Sequence, residues 1–142
     1  MAAYDGGKRV SHLGGTGVGG GTIMGLARRM LGVNDFQALE AMALKGDANK
    51  ADLSVADIVG GPVGIIPAEA TASNLARLSS ETLPEDIAAG IFNLVSQVVG
   101  VISVMAEKAC GLEEDVVLVG RLVKSSLVSR IVCETTNMFG VK

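Results

Sequence analysis

HLGGTGVGGGTIMGL, residues 12–26, carries seven glycines in fifteen positions and then runs directly into helix-favouring residues. Glycine has the most conformational freedom to lose on folding, so a cluster of it weakens any regular element it joins. Phosphate binding gives such a cluster a purpose. It needs backbone N–H groups free to point at an anion, no Cβ to hold the anion away, and the partial positive charge of a helix N-terminus. GGTGVGGGT ahead of a helix supplies all three, with the Thr16 and Thr22 hydroxyls as further donors. A bare tight turn is the alternative, and composition leaves both readings open. The stretch is not a P-loop, because no Gly-Lys-Ser/Thr follows at that spacing. Gly15, Gly17 and Gly20 fit the loose GxGxxG form, yet no acidic residue ends a second strand about twenty residues on, as a dinucleotide site requires.

The 142 residues amount to about one domain, long enough to bury a core. Hydrophobic residues make up 49% and charged residues 19%, which excludes a disordered chain. Aromatics are only 3%, with no Trp, so the core must be Val, Ile, Leu, Ala and Met. A net charge of −3, with no basic stripe interleaved by aromatics, argues against a nucleic-acid surface. Cys110 and Cys133 are too few for a disulfide framework or a zinc site and read as reduced thiols of a cytoplasmic protein. The opening MAAYDGGKR lacks the basic start and apolar stretch of a signal peptide. Residues 87–106 are uncharged over a length that meets the threshold for a membrane span. Asn93, Ser96, Gln97, Gly100, Ser103 and Glu107 nevertheless recur every three to four residues, opposite Ile91, Val95, Val98, Ile102 and Met105. A two-faced helix in a core or a subunit interface is expected there, and no membrane.

The chain opens as a hairpin, AAY then RVSHL about an Asp5-Gly6-Gly7 turn. A helix is expected over 22–31, closed by Gly32. Asn34, paired with Gln37, caps the next, whose apolar face is Phe36, Leu39, Met42 and Ala43. Residues 47–68 read as loop with one short helix, and 69–78 as a further helix. Thr82 and Glu85 cap a long helix that runs to Cys110 and stops at Gly111. Residues 115–120 read as a strand covered on both faces, and 121–138 as a last helix burying Leu127, Val128, Ile131 and Val132. Strand, glycine, helix thus occurs twice, in an α/β or α+β chain with a small sheet. Asp47, Asn49, Asp52 and Asp57 lack the Gly and Glu of a calcium loop and read as solvated loop or helix caps. Arg28 and Arg29 read as a wet helix face, and Ser11-His12 has no orienting group for a nucleophile. Met24, Met30, Met42 and Met105 read as core filler.

Taken in order, several segments resemble one family, the type II pantothenate kinases. GGTGVGGGTIMGL resembles the family's glycine motif, and Met42-Ala43-Leu44-Lys45-Gly46-Asp47 is similar to its MAxKGD. Ala72-Ser73-Asn74 sits where the family has small residues before Asn or Phe-Gly, and VVLVGRLVKSSLVSRIV is similar to its strand-Gly-helix adenosine segment. The likeness extends over nearly all 142 residues. It implies the actin-like fold of acetate and sugar kinases, related to ribonuclease H, with two lobes closing over Mg-ATP. It also implies homodimers and phosphorylation of pantothenate, the first step toward coenzyme A.

By the same resemblance, Gly19, Gly20, Gly21, Thr22, Ile23 and Met24 lie along the nucleotide phosphates, Phe36 lies near the nucleotide, and Gly120 and Arg121 lie beside the adenosine. His12 stands where many members have an Arg that holds pantothenate, with Arg9 three residues earlier, and so is the candidate substrate residue. ATP and Mg2+ are the implied cofactors. No catalytic residue or metal ligand is implied in this chain. The family's first phosphate hairpin, its catalytic Glu and its Gly-Thr-Gly-Thr/Ser strand precede the matching part, and a Gly-Ala-rich helix follows it. Residues 1–142 are therefore expected as a single domain resembling an incomplete C-terminal lobe, lacking its N-terminal lobe and not turning over alone. From the residues without the resemblance, the competing expectation is a non-catalytic dimerisation module, with the helix over 84–109 as its seam.

Overall fold

Helix α4 (Pro84–Cys110) is the spine of the fold. Pro84 sits at its first position, where a missing N–H costs nothing, and Glu85 and Asp86 face the positive end of the helix. Gly111, at φ 62°, closes it as expected. The computed structural model describes residues 2–5, 9–111 and 116–141.

Around α4 pack α1 (Gly20–Leu31), α2 (Phe36–Ala43) and α5 (Ser126–Met138). The core joins Ile23 and Ala27 of α1, Leu39 and Ala43 of α2, Leu127, Val128 and Val132 of α5, and Ala88, Ile91, Phe92 and Val95 of α4, each 5% exposed or less. This is the aliphatic core that composition required, built around one aromatic. Two antiparallel ladders lie outside it. Strands β1 (Ala2–Asp5) and β2 (Arg9–His12) pair with Tyr4 opposite Val10, and β3 (Leu53–Ser54) pairs with β4 (Thr71–Ser73). Helix α3 (Val55–Val59) follows β3 directly, capped by the reciprocal Ser54–Asp57 box. Gly6 and Gly7 of the expected hairpin turn lie outside the described residues.

Part of the polar stripe of α4 is spent inside the chain. Asn93 and Gln97 bond to the segment 52–77, and Ser103 Oγ donates to Val99 O at 2.8 Å. A Cβ on Gly90 would sit 2.9 Å from Ala51 Cβ, and one on Gly100 would sit 2.8 Å from Thr135 Cβ of α5. Small residues that read as a candidate dimer seam are thus contact points between this chain's own elements. By length and composition α4 could cross a membrane, and 56% of its most apolar window is buried inside the chain.

Five sequence expectations are corrected. Thr82 does not cap α4: its Oγ1 accepts from Ser79 N–H at 3.0 Å, and Leu83 is the N-cap. Proline excludes the helical region for its predecessor, which places the boundary at Leu83. Asp35, not Asn34, caps α2, accepting from Ala38 N–H at 2.7 Å. Residues 69–78 form β4 and a turn rather than a helix, because Asp52 and β3 recruit their backbone. Residues 116–119 form no ladder, leaving Val117 and Val119 78% and 86% exposed while Leu118 packs on the core. An apolar run becomes a strand only where a neighbour takes its backbone groups. Asp115 of that expected strand lies outside the described residues. The last helix starts at Ser126, after a 3-10 turn at Leu122–Lys124, so the second unit is loop, glycine, helix.

Candidate functional site

The glycine loop spans residues 13–19, between β2 and α1. Gly14, at φ 148°, holds a conformation that favours glycine. Thr16 Oγ1 accepts from Val18 N–H at 3.1 Å. Thr22 Oγ1 accepts from Gly19 N–H at 3.1 Å and donates to Gly17 O at 3.4 Å. Both hydroxyls, expected as ligand donors, therefore brace the loop. The first helical bond runs from Ile23 N–H to Gly19 O. Gly20, Gly21 and Thr22 consequently present N–H groups with no intrahelical acceptor.

Packing does not account for these glycines. A Cβ at Gly15, Gly17, Gly19 or Gly21 would meet nothing within 4 Å. Only Gly20 has a neighbour, with Leu122 Cδ2 3.3 Å from where its Cβ would lie. That contact brings the segment carrying Gly120 and Arg121 to the start of α1, so two of the predicted site segments meet.

Charge placement separates α1 from the other α-helices among the described residues. Asp35 caps α2, Asp57 lies in the first turn of α3, and Glu85 and Asp86 lie in that of α4. Glu40 reaches across to α5, accepting from Leu127 N–H at 3.1 Å. The first turn of α1 holds no acid. No carboxylate in that turn offsets its positive end. Arg28 and Arg29 lie in its last turn, roughly 12 Å away along the axis, where they complement the helix dipole.

The remaining predicted residues separate by burial. Ile23 is fully buried and Met24 packs against the core, so neither offers its side chain to the open side of the loop. Phe36 stacks edge-on against Phe92, with ring centres 5.4 Å apart. His12 is exposed at the end of β2, one residue before the loop, and Gly120 and Arg121 are exposed. Two cavities lie elsewhere, about 480 Å³ beside Lys50 and Arg77 and about 230 Å³ beside Asp47 and Arg130.

Sequence reasoning missed Asp52. The solvated-loop reading holds for Asp47, which caps a 3-10 turn, and for Asp57, which pairs with Arg77. Asp52 is instead fully buried. It accepts from Leu75 N–H and Asn93 Nδ2, each at 2.7 Å, and from Asn74 Nδ2 at 3.5 Å. Burial pushes its carboxyl above the usual range, and these three donors only partly offset that. Asp57, exposed, is held down to about 2 by the Ser54 N–H and the Arg77 guanidinium. Asn93 and Gln97 inside an apolar run were the signal that a buried polar partner existed. No group of three or more His, Cys, Asp or Glu able to hold a metal occurs among the described residues.

Comparisons with known proteins agree with the family resemblance. A family model described as Fumble matches residues 1–140. A type II pantothenate kinase of Bacillus cereus (strain G9842) is 31% identical over 126 residues, covering 87% of this chain and 46% of that protein. One from Bacillus anthracis is 39% identical over 93 residues, covering 63% and 34%. One from Staphylococcus aureus (strain USA300) is 29% identical over 143 residues, covering 98% and 54%. The chain spans about half the length, or less, of these curated relatives.

Proposed function

The chain belongs to the Fumble family, and from that premise we propose that it forms the nucleotide-holding part of an actin-like kinase lobe that acts on pantothenate. The observation that carries the reading is the start of α1: three N–H groups with no intrahelical acceptor, no acid in the first turn, and open space on the Cβ side of Gly15, Gly17, Gly19 and Gly21. Nucleotide phosphates fit that surface, since each oxygen can approach the backbone without meeting a side chain. In this reading Gly20, Gly21 and Thr22 donate to phosphate from the backbone; Gly19, Ile23 and Met24, whose N–H groups are taken up by Thr22 Oγ1 and by the helix, lie alongside; and Gly120 and Arg121 flank the adenosine. Phe36 supports the same region from the core, and His12 faces the pantothenate end. ATP supplies the phosphoryl group. Mg2+ enters as the companion of its phosphates.

Transfer itself is assigned to none of these residues. Holding and orienting the nucleotide is their part, and in phosphoryl transfer positioning and charge stabilisation are most of the catalysis. A cytoplasmic location and a homodimer complete the proposal. The dimer uses a surface other than the Gly90–Gly100 side of α4, which this chain's own residues cover.

Titration of 15N-labelled protein with Mg-ADP, followed by two-dimensional NMR, tests the reading. Shifts confined to the amides of 14–24 and 120–122 are expected. No shift there at high ADP, with the fold intact, refutes it.

A further inference from the structure

Glu40 lies on α2 and holds the start of α5 across 85 residues of sequence. Its Oε1 accepts from Ser125 Oγ at 2.7 Å and from Leu127 N–H at 3.1 Å, with Ser126 Oγ more distant at 3.5 Å. Ser125 is nearly fully buried, and its Oγ in turn accepts from Val128 N–H at 3.1 Å. A carboxylate meeting the N-terminus of a helix is favoured twice, by charge-assisted hydrogen bonds and by the helix dipole. The turn before Ser125 is fixed from the same point. Ser125 N–H donates to Leu122 O at 3.0 Å, Lys124 N–H donates to Arg121 O at 3.3 Å, and Ser129 Oγ donates to Val123 O at 3.2 Å. Leu122 then rests against Gly20. One continuous line of contacts runs from Glu40 through Ser125 and Leu122 to the first turn of α1.

We propose that Glu40 is a positioning residue that sets where Gly120 and Arg121 stand relative to the glycine loop, and thereby controls the adenosine side of the nucleotide site but not its phosphate side. This rests on the nucleotide reading above. The phosphate donors belong to the loop and α1; the hydrogen bonds of the Glu40 carboxylate go instead to Ser125, Ser126 and Leu127, and the line of contacts reaches α1 only through the Leu122 side chain. Gly120 and Arg121 directly precede the turn that Glu40 does fix. Loss of Glu40 thus releases one half of the site and leaves the other in place.

Calorimetric titration with Mg-ADP and with magnesium tripolyphosphate, which has no nucleoside, reads the two halves separately. Glu40→Ala is expected to weaken ADP about tenfold while tripolyphosphate changes less than about twofold. Glu40→Gln, which keeps a carbonyl oxygen for Ser125 and Leu127, is expected to restore most of the ADP affinity. A merely structural role lowers stability and moves both ligands together, or neither, and either result overturns the inference. Should Glu40→Ala fail to fold, Leu122→Ala breaks the same line of contacts, and an unchanged ratio of the two affinities there overturns it equally. Wild-type protein that binds neither ligand refutes the nucleotide reading and this inference with it. Wild-type binding of both with no variant effect on the ratio refutes the inference alone.

Discussion

Replacing Gly21 with Ala separates folding from binding in a single methyl group. Gly21 occupies the second position of α1, and its new Cβ would meet nothing within 4 Å, so the folded state accepts it without strain. Alanine also has fewer unfolded conformations to lose, which favours folding by about 0.4–1 kcal/mol. For a chain of this size that raises Tm by roughly 1–4 °C. The same methyl stands where a phosphate oxygen would approach the backbone. Holding the anion off one N–H removes a charge-assisted hydrogen bond worth about 1.5–3 kcal/mol, or roughly 10- to 100-fold in Mg-ADP affinity. Thermal melts with and without Mg-ADP read both effects together. The expected pattern is a higher Tm for the free protein and a smaller shift on adding ligand. A lower Tm in the free protein would refute the open geometry. An undiminished ADP shift would refute the claim that the glycines serve phosphate.

Three further outcomes follow from close contacts and from charge. Gly46→Ala drives a methyl into the backbone carbonyl oxygen of Glu85 and disturbs the Asp47 N–H to Asp86 bond at 2.8 Å. A loss of about 3–6 kcal/mol is expected by urea unfolding, and a change below about 1 kcal/mol would contradict the contact. Gly100→Leu drives α4 from α5 at Thr135. Stability should fall by about 2–3 kcal/mol while light-scattering mass stays the same, and a lower mass with unchanged stability would reinstate the dimer seam. For Asp52, burial raises the folded carboxyl above 3.8, so the folded state holds the proton more tightly than the unfolded one. Stability from this group therefore rises as pH falls through the raised value toward 3.8, and Asp52→Asn should lose that dependence in urea titrations between pH 7 and 4. Parallel pH profiles for the two proteins would show that Asp52 is not the group responsible.

Helices with a strong apolar period were legible in the sequence, because their pattern and their stop signals agree locally. Gly32 and Gly111 both close helices in the left-handed conformation that the sequence reading assigned to them. Failures fell where a distant partner outweighs a local signal. Residues 71–73 become a strand only because Leu53 and Ser54 lie beside them, and Asp52 is buried only because Leu75, Asn74 and Asn93 reach it from two other elements. Nothing within five residues of Asp52 announces that. In the same way, Glu40 reads as one more charge on an amphipathic helix, and its role depends on donors more than eighty positions away. The glycine loop was legible as an anomaly. Its acid-free helix start was not, because the comparison needs every other helix end located in space.

Glycines of two physical kinds sit side by side in this chain, and the distinction carries the functional argument. Gly46, Gly90 and Gly100 are each met by another part of the chain at 2.9 Å or closer to where a Cβ would lie. Their smallness is consumed by the fold. Gly15, Gly17, Gly19 and Gly21 face open space, so the fold draws no packing benefit from them and still bears their entropic cost. A turn alone would account for Gly14, whose φ favours glycine, but not for its neighbours. The proposed function gives them a purpose: close approach by something outside the chain. The surface it meets is made of N–H groups at the one α-helix start, among those described, without a carboxylate. An approaching group that needs backbone proximity and positive potential is an anion, and a row of such positions along one loop suits a chain of linked phosphates better than a single ion.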